Sequence, residues 1–155
     1  MKKEETVDYH VKVAWHAISR MYNQGGAPDG ITASNGFVML NIDIEEGTPA
    51  TKIAPMLGME ARSLTRMLKS LESAGLIYRE PDPLDKRSVR IFLTEEGKRR
   101  RKISKQAVIF FNEKVQAKVA EDKLQGFFEV MRAIEQVIEE NKNIDSKVIL
   151  IENEQ

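Results

Sequence analysis

The sequence predicts a mainly α protein with one small β-hairpin, and three observations carry that expectation. Apolar residues recur at spacings of three and four through several segments, the signature of amphipathic helices. Two short stretches, LIYRE (76–80) and RIFL (90–93), are instead rich in strand-favouring residues and flank a loop containing two prolines. The corner Leu57-Gly58-Met59-Glu60 joins two helices in very few residues, with a glycine where the chain must turn sharply.

Each element follows in order. Val7, Val11, Trp15, Ile18 and Tyr22 mark a first helix over 6–23, stopped by Gly25-Gly26 and a Pro/Asp/Gly loop through Gly30. A second helix is expected over about 33–46, with Phe37, Leu40 and Ile44 apolar and Gly47 at its end. Thr48-Pro49 reads as an N-cap followed by proline at the first helical position, opening a short third helix, TKIAPML, that stops at Gly58. Leu64, Met67, Leu68 and Leu71 form the stripe of a fourth helix closed by Gly75. The hairpin occupies 76–93. Prolines 81 and 83 cannot donate to a ladder and fix φ, so they end its first strand and stiffen its tip. Thr94 then caps a fifth helix with an acidic first turn, reaching about 119, and Leu124, Phe128, Met131, Ile134 and Ile138 mark a sixth over 121–141. The apolar run Val148–Ile151 has no evident place. Helix–turn–helix followed by a two-stranded hairpin is a winged helix.

Composition narrows the function. Hydrophobic residues make up 41% and charged residues 31% of 155, which suits one helix-rich globular domain. No apolar run approaches a membrane span and MKKEETVDYH lacks an apolar signal core, so a cytoplasmic protein without membrane contact is expected. The absence of cysteine excludes disulfides and thiolate metal sites. A formal net charge of zero conceals an asymmetry: residues 50–106 hold 14 Lys/Arg against 7 Asp/Glu, and the rest hold 10 against 17. A basic middle between acidic ends is either a phosphate-contacting surface or a solvated face.

In a helix–turn–helix the second helix reads base edges in the DNA major groove. With its leucines facing inward, the fourth helix leaves Arg62, Ser63, Thr65, Arg66 and Lys69 outside. Arginine can fork onto guanine, Ser and Thr can bond bases or phosphates, and Lys69 suits a phosphate. At the hairpin tip Arg87 is placed to enter a minor groove, where negative potential concentrates. Asp85 reads as its orienting partner, and Lys86 and Arg90 as phosphate-reaching charges. The alternatives are an ordinary surface helix and a solvated turn whose Asp and Arg pair with each other.

The motifs KIAPMLGM, SLTRMLKSLESAGLI and REPDPLDKRSVRIFLTEEG resemble the winged-helix core of the multiple antibiotic resistance regulator (MarR) family. The Asp-x-Arg pair at 85 and 87, the following strand and the L-T-E-x-G helix opening recur together in that family. The resemblance implies a homodimeric regulator. Its N- and C-terminal helices would intertwine (here 1–25 and 107–155), and its lobes (here 33–97) would bind a pseudo-palindromic double-stranded operator. It also implies a repressor released by a small, often aromatic ligand. In the family, residues matching Arg66 and its neighbours read the major groove, and the aspartate matching Asp85 positions the wing arginine matching Arg87. Glu60 departs from the serine common at the start of the recognition helix, and the apolar tail is not a family feature.

The other candidates carry less. Trp15, Met21, Tyr22, Met39 and Phe110 either line an aromatic ligand pocket or belong to the core. The run KRRRK (98–102) either reaches phosphates or is solvated. His10 and His16 lie six apart and read as ordinary helix histidines, so no metal or cofactor is expected. There is no phosphate-binding Gly loop, nucleophile elbow or HExxH, and no enzyme is expected. The rival function class is a protein-interaction winged helix with an incidental basic surface.

Overall fold

The computed structural model describes residues 2–25, 32–85 and 87–142. The expectations that fall on the loop through Gly30, on Lys86 and on the run Val148–Ile151 lie outside these residues. The elements are α1 (Val7–Gly25), α2 (Ala33–Leu40), β1 (Thr48–Pro49), α3 (Ala50–Met56), α4 (Ala61–Ser73), β2 (Ile77–Pro81), β3 (Val89–Leu93), α5 (Glu95–Gln116) and α6 (Glu121–Asn141). The protein is thus mainly helical with a small antiparallel sheet, as the sequence predicts. The chain divides into two compact units within α5, Met1–Phe110 and Phe111–Gln155.

The core of the first unit is one cluster. Val38, Met39 and Ile42 from α2 and its exit turn meet Ile53 and Ala54 of α3, Leu64, Leu68 and Leu71 of α4, and Leu76, Ile77, Ile91 and Leu93 of the sheet. The inward leucine stripe of α4 is therefore as its helical spacing predicts. Both helix ends at the corners close as the glycines require. After α3, the Gly58 N–H donates to the Pro55 carbonyl and the Met59 N–H to that of Ala54, with Gly58 at φ +60°. After α4, Gly75 (φ +68°) donates to Glu72 and Leu76 to Leu71. Each is a paired closure of the last turn that needs a left-handed residue.

Two details differ from the expected boundaries. Helix α2 ends at Leu40, six residues early, because local side chains compete for its backbone. The Asn41 amide donates to the Phe37 carbonyl, and the Asp43 carboxylate accepts the N–H groups of Glu45 and Glu46. Thr48-Pro49 does not open α3 as cap and first residue. It forms a third strand, Thr48 opposite Ile91 and Pro49 opposite Arg90, in a sheet of order β1-β3-β2. The Thr48 hydroxyl is occupied elsewhere, donating to the Asn41 carbonyl and accepting the Asp43 N–H. Pro81 closes β2 as its last residue, on an edge strand where a missing N–H costs no ladder bond.

Helix α5 opens at Thr94, whose hydroxyl accepts the Gly97 N–H and donates to the Gly75 carbonyl. This brings Gly97 against the α4–β2 corner. A Cβ there would sit 1.9 Å from the Leu76 carbonyl oxygen, so only glycine allows the crossing. In the second unit, α6 has no buried residue, and Phe127, Phe128, Val130, Val137 and Ile138 are exposed in the single chain.

Two glycine substitutions separate crowding from backbone strain. Gly97→Ala should cost roughly 4 kcal/mol or prevent folding, because backbone must move. Gly58→Ala, with open space around its Cβ but a positive φ, should cost about 1–2 kcal/mol. Thermal or urea unfolding of the two variants compares them directly.

Candidate nucleic-acid interface

The outer face of α4 carries Arg62, Ser63, Thr65, Arg66 and Lys69, all exposed. The Thr65 hydroxyl donates back to the Ala61 carbonyl. Glu60 occupies the N-cap without a side-chain cap bond, while its carbonyl accepts from Ser63 and Leu64. The helix N-terminus is therefore open on the side where an anion would approach.

Two carboxylates and two backbone bonds hold the described residues of the wing loop. Asp82 is 4% exposed, and its carboxylate accepts the Leu84 N–H at 2.9 Å. Asp85 does the same for the Arg87 N–H at 3.0 Å. Between them, Asp82 N–H donates to the Ser88 carbonyl and Ser88 N–H to that of Asp85. Asp85 thus orients Arg87 through its backbone; among the described residues the Arg87 guanidinium has no hydrogen-bonding partner, and it is exposed.

Arg90 has a different employment. Its Nε lies 3.2 Å and its Nη2 3.1 Å from Asp82 Oδ2, and its Nη1 donates to the carbonyls of Glu46 and Gly47. The side chain is 16% exposed. Its phosphate-reaching role gives way to a clamp between the wing base and the turn after α2, because four internal acceptor contacts already fill the guanidinium. Asp82 is held below its ordinary value first by the Leu84 N–H and, against the opposing effect of burial, by the Arg90 charge.

The KRRRK run is likewise largely absorbed. Lys98 pairs with Glu95, Arg99 and Arg100 both pair with Glu96, and Arg101 donates to the carbonyls of Met39 and Leu40. That last contact satisfies the open C-terminal end of α2.

A cleft of about 520 Å3, its open mouth included, lies in the first unit beside these arginines. Tyr22 of α1 faces Ala33, Gly36, Phe37 and Leu40 of α2, with Arg100, Ile103, Ser104 and Ala107 of α5 completing the walls. Of the residues singled out by sequence, Tyr22 lines it, and burial raises its pKa, keeping the phenol a donor. Trp15 reaches it only indirectly, its ring 5.8 Å from that of Phe37. Met39 is wholly buried in the core instead, clustered with Val38 and Ile42. Phe110 is 62% exposed and is not a wall residue; Met21 is exposed. The wall residue that sequence reading most plainly missed is Ser104, whose hydroxyl would be 3.0 Å from a Cβ on Gly36. The His10 Nε2 lies 2.7 Å from the Glu4 carbonyl oxygen, and no group of acidic or histidine side chains suited to a metal occurs among the described residues.

Comparison with known proteins bears on the same lobe. Residues 31–89 match the sequence profile described as the MarR family, spanning α2, the helix–turn–helix and the wing. The chain is 36% identical over 90 residues to the HTH-type transcriptional regulator TtmR of Methylorubrum extorquens, covering 58% of this chain and 46% of that one. The chain spans about half the length of the curated relatives it matches, of which TtmR and YhbI of Bacillus subtilis are named as HTH-type transcriptional regulators. Among solved structures, the PcaV regulator of Streptomyces coelicolor in complex with its natural ligand superposes with a TM-score of 0.76 at 19% identity, over 88% of this chain and 96% of that one. The repressor CouR bound to a 23-mer DNA duplex superposes with a TM-score of 0.71 at 26% identity, over 84% and 93%. The fold of these two structures is therefore shared along most of the chain. No helix among the described residues is long and apolar enough to cross a membrane.

The doubly paired Glu96 supplies a pH signature. Hydrogen bonds from Arg99 and Arg100 hold its pKa at about 2, against an ordinary 4.5. A depressed carboxylate contributes stability that is present above the unfolded value and is lost as pH falls through the folded one. The stability advantage of the native protein over Glu96→Gln should be greatest above pH 4.5 and fade towards pH 2. Melting temperatures of both proteins across that range test it.

Proposed function

We propose that this protein is a homodimeric, sequence-specific DNA-binding transcriptional regulator, a repressor released by a small ligand. The observation that carries the reading is the joint exposure of Arg62, Ser63, Arg66 and Lys69 on α4 with Arg87 on a pinned wing, none of them held by a protein partner among the described residues. Helix α4 enters the major groove, with Arg62 and Arg66 towards base edges and Ser63, Thr65 and Lys69 towards bases and phosphates. Arg87 enters the flanking minor groove, with Asp85 holding the backbone that presents it. Each protomer of the dimer takes one half-site, the two about one helical turn apart.

The exposed apolar side chains of α1 and α6 support the dimer. Val7, Val11 and Trp15 on the one, and Phe127, Phe128 and Ile138 on the other, are the kind of surface a partner subunit covers. The cleft between α1, α2 and α5 supports the ligand. Its walls are mostly apolar, with the Tyr22 phenol and Ser104 hydroxyl as polar handles, which suits a small aromatic molecule. Such a ligand releases DNA only by binding the DNA-incompetent arrangement more tightly than the competent one.

Fluorescence anisotropy with duplexes from the region upstream of the protein's own gene, and with random DNA, at two salt concentrations tests the reading. Selective binding should weaken steeply with salt. Arg66→Ala and Arg87→Ala should each cost about 1–3 kcal/mol on the selected duplex. Equal affinity for random DNA, unmoved by either substitution, would return the protein to the interaction-module class.

A further inference from the structure

The tip of the wing carries a second side chain whose exposure is out of keeping with its chemistry. Leu84 is 91% exposed, far more than the other exposed large apolar residues, of which the next are Ile138 at 63% and Phe110 at 62%. A lone surface leucine usually means little. This one differs because its backbone is held by other side chains of the loop. Its own N–H is held by Asp82 Oδ1 at 2.9 Å, Pro83 fixes φ immediately before it, and Asp82 is in turn gripped by Arg90. On its other side, Asp85 holds the Arg87 N–H. The loop therefore projects Leu84 and Arg87 from one rigid tip, three residues apart.

We propose that Leu84 is a shape-reading wedge of the wing, packing against the deoxyribose walls of the minor groove beside the guanidinium of Arg87. The inference rests on the DNA-binding reading above and adds a role for a residue that phosphate and base chemistry leave unused. A minor groove offers apolar sugar edges along its walls and a negative floor. An arginine matches the floor, and a leucine matches the walls or opens a base step. Because the tip is held by hydrogen bonds before docking, little conformational entropy is lost when the side chain is covered. The contact is apolar, so it distinguishes flanking sequences by groove width and step flexibility, not by hydrogen bonding. Pyrimidine–purine steps, which open most easily, should be favoured beneath the tip.

The test uses the full chain and the duplex selected by anisotropy. Leu84→Ala should weaken binding by about five- to tenfold, reduce any DNA bend read by end-to-end fluorescence transfer, and leave the salt slope unchanged. Arg87→Ala should lower the salt slope as well as the affinity. Leu84→Met, still an apolar wedge, should keep near-native affinity. Native affinity and bend in Leu84→Ala would overturn this inference alone. A loss in Leu84→Ala that Leu84→Met shares fully would also overturn it, since side-chain apolarity would then not be the cause. No selective binding by the unsubstituted protein would overturn the DNA reading and this inference with it.

Discussion

The guanidinium of Arg90 ties together three pieces of chain around the sheet. It sits on β3, the central strand, opposite Glu80 on one side and Pro49 on the other. From there it reaches the Asp82 carboxylate at the wing base and the Glu46 and Gly47 carbonyls of the turn leaving α2. The turn can lie that close only because residue 47 is glycine: φ is +63°, and a Cβ would stand 2.7 Å from both the Ile91 carbonyl and the Phe92 ring. Carbonyls turned inward beside a strand need a donor, and a nearly buried carboxylate needs a charge. One arginine meets both needs. The order at the wing base follows, because Arg90 holds in place the carboxylate that accepts the Leu84 N–H.

The helical side of the lobe is tied in the same manner at a second point. Thr94 caps α5 and also donates to the Gly75 carbonyl, while the Leu76 carbonyl accepts the Thr94 N–H and leaves no room for a side chain at 97. Helix α4 is thereby fixed at its C-terminal corner, and its three buried leucines fix its rotation. Arg101 anchors α5 to the end of α2. The two helices that form most of the cleft are thus linked to α4 and the hairpin through short-range contacts. Bistability of any one of them is what ligand binding would have to exploit.

What the sequence revealed divides by the range of the interaction. The helices over most of their length, the two glycine closures and the Thr94 cap were legible, since each depends on periodicity or on contacts a few residues apart. Strand β1 was not: two residues carry no period, and Thr-Pro is also a good helix opening, so only pairing with β3 decides. The early end of α2 rests on side-chain bonds from Asn41 and Asp43 that compete with a helix the propensities allow. Met39 could not be separated from a cleft residue because Phe37, Val38, Met39 and Leu40 are apolar in succession, so the sequence around them does not say which side faces the core. Arg90 looked available because its acceptors at 46 and 47 are more than forty residues away.

The same distinction governs the charge. Residues 50–106 are rich in cations, and KRRRK is their most conspicuous cluster, yet formal charge does not measure availability. Arg79, Arg90, Lys98, Arg99, Arg100 and Arg101 all hold protein carboxylates or carbonyls. Arg62, Arg66 and Lys69 on α4 and Arg87 on the wing have no such commitments among the described residues, and all four are exposed. A phosphate approaching Lys98, Arg99, Arg100 or Arg101 must displace an internal partner, whereas one approaching α4 or the wing displaces only water and counterions. Counterion release therefore favours α4 and the wing, the two elements that also carry the side chains able to read a groove. A chain of zero net charge can bind a polyanion on these terms, because its internal ion pairs occupy the cations that are not placed to reach the groove.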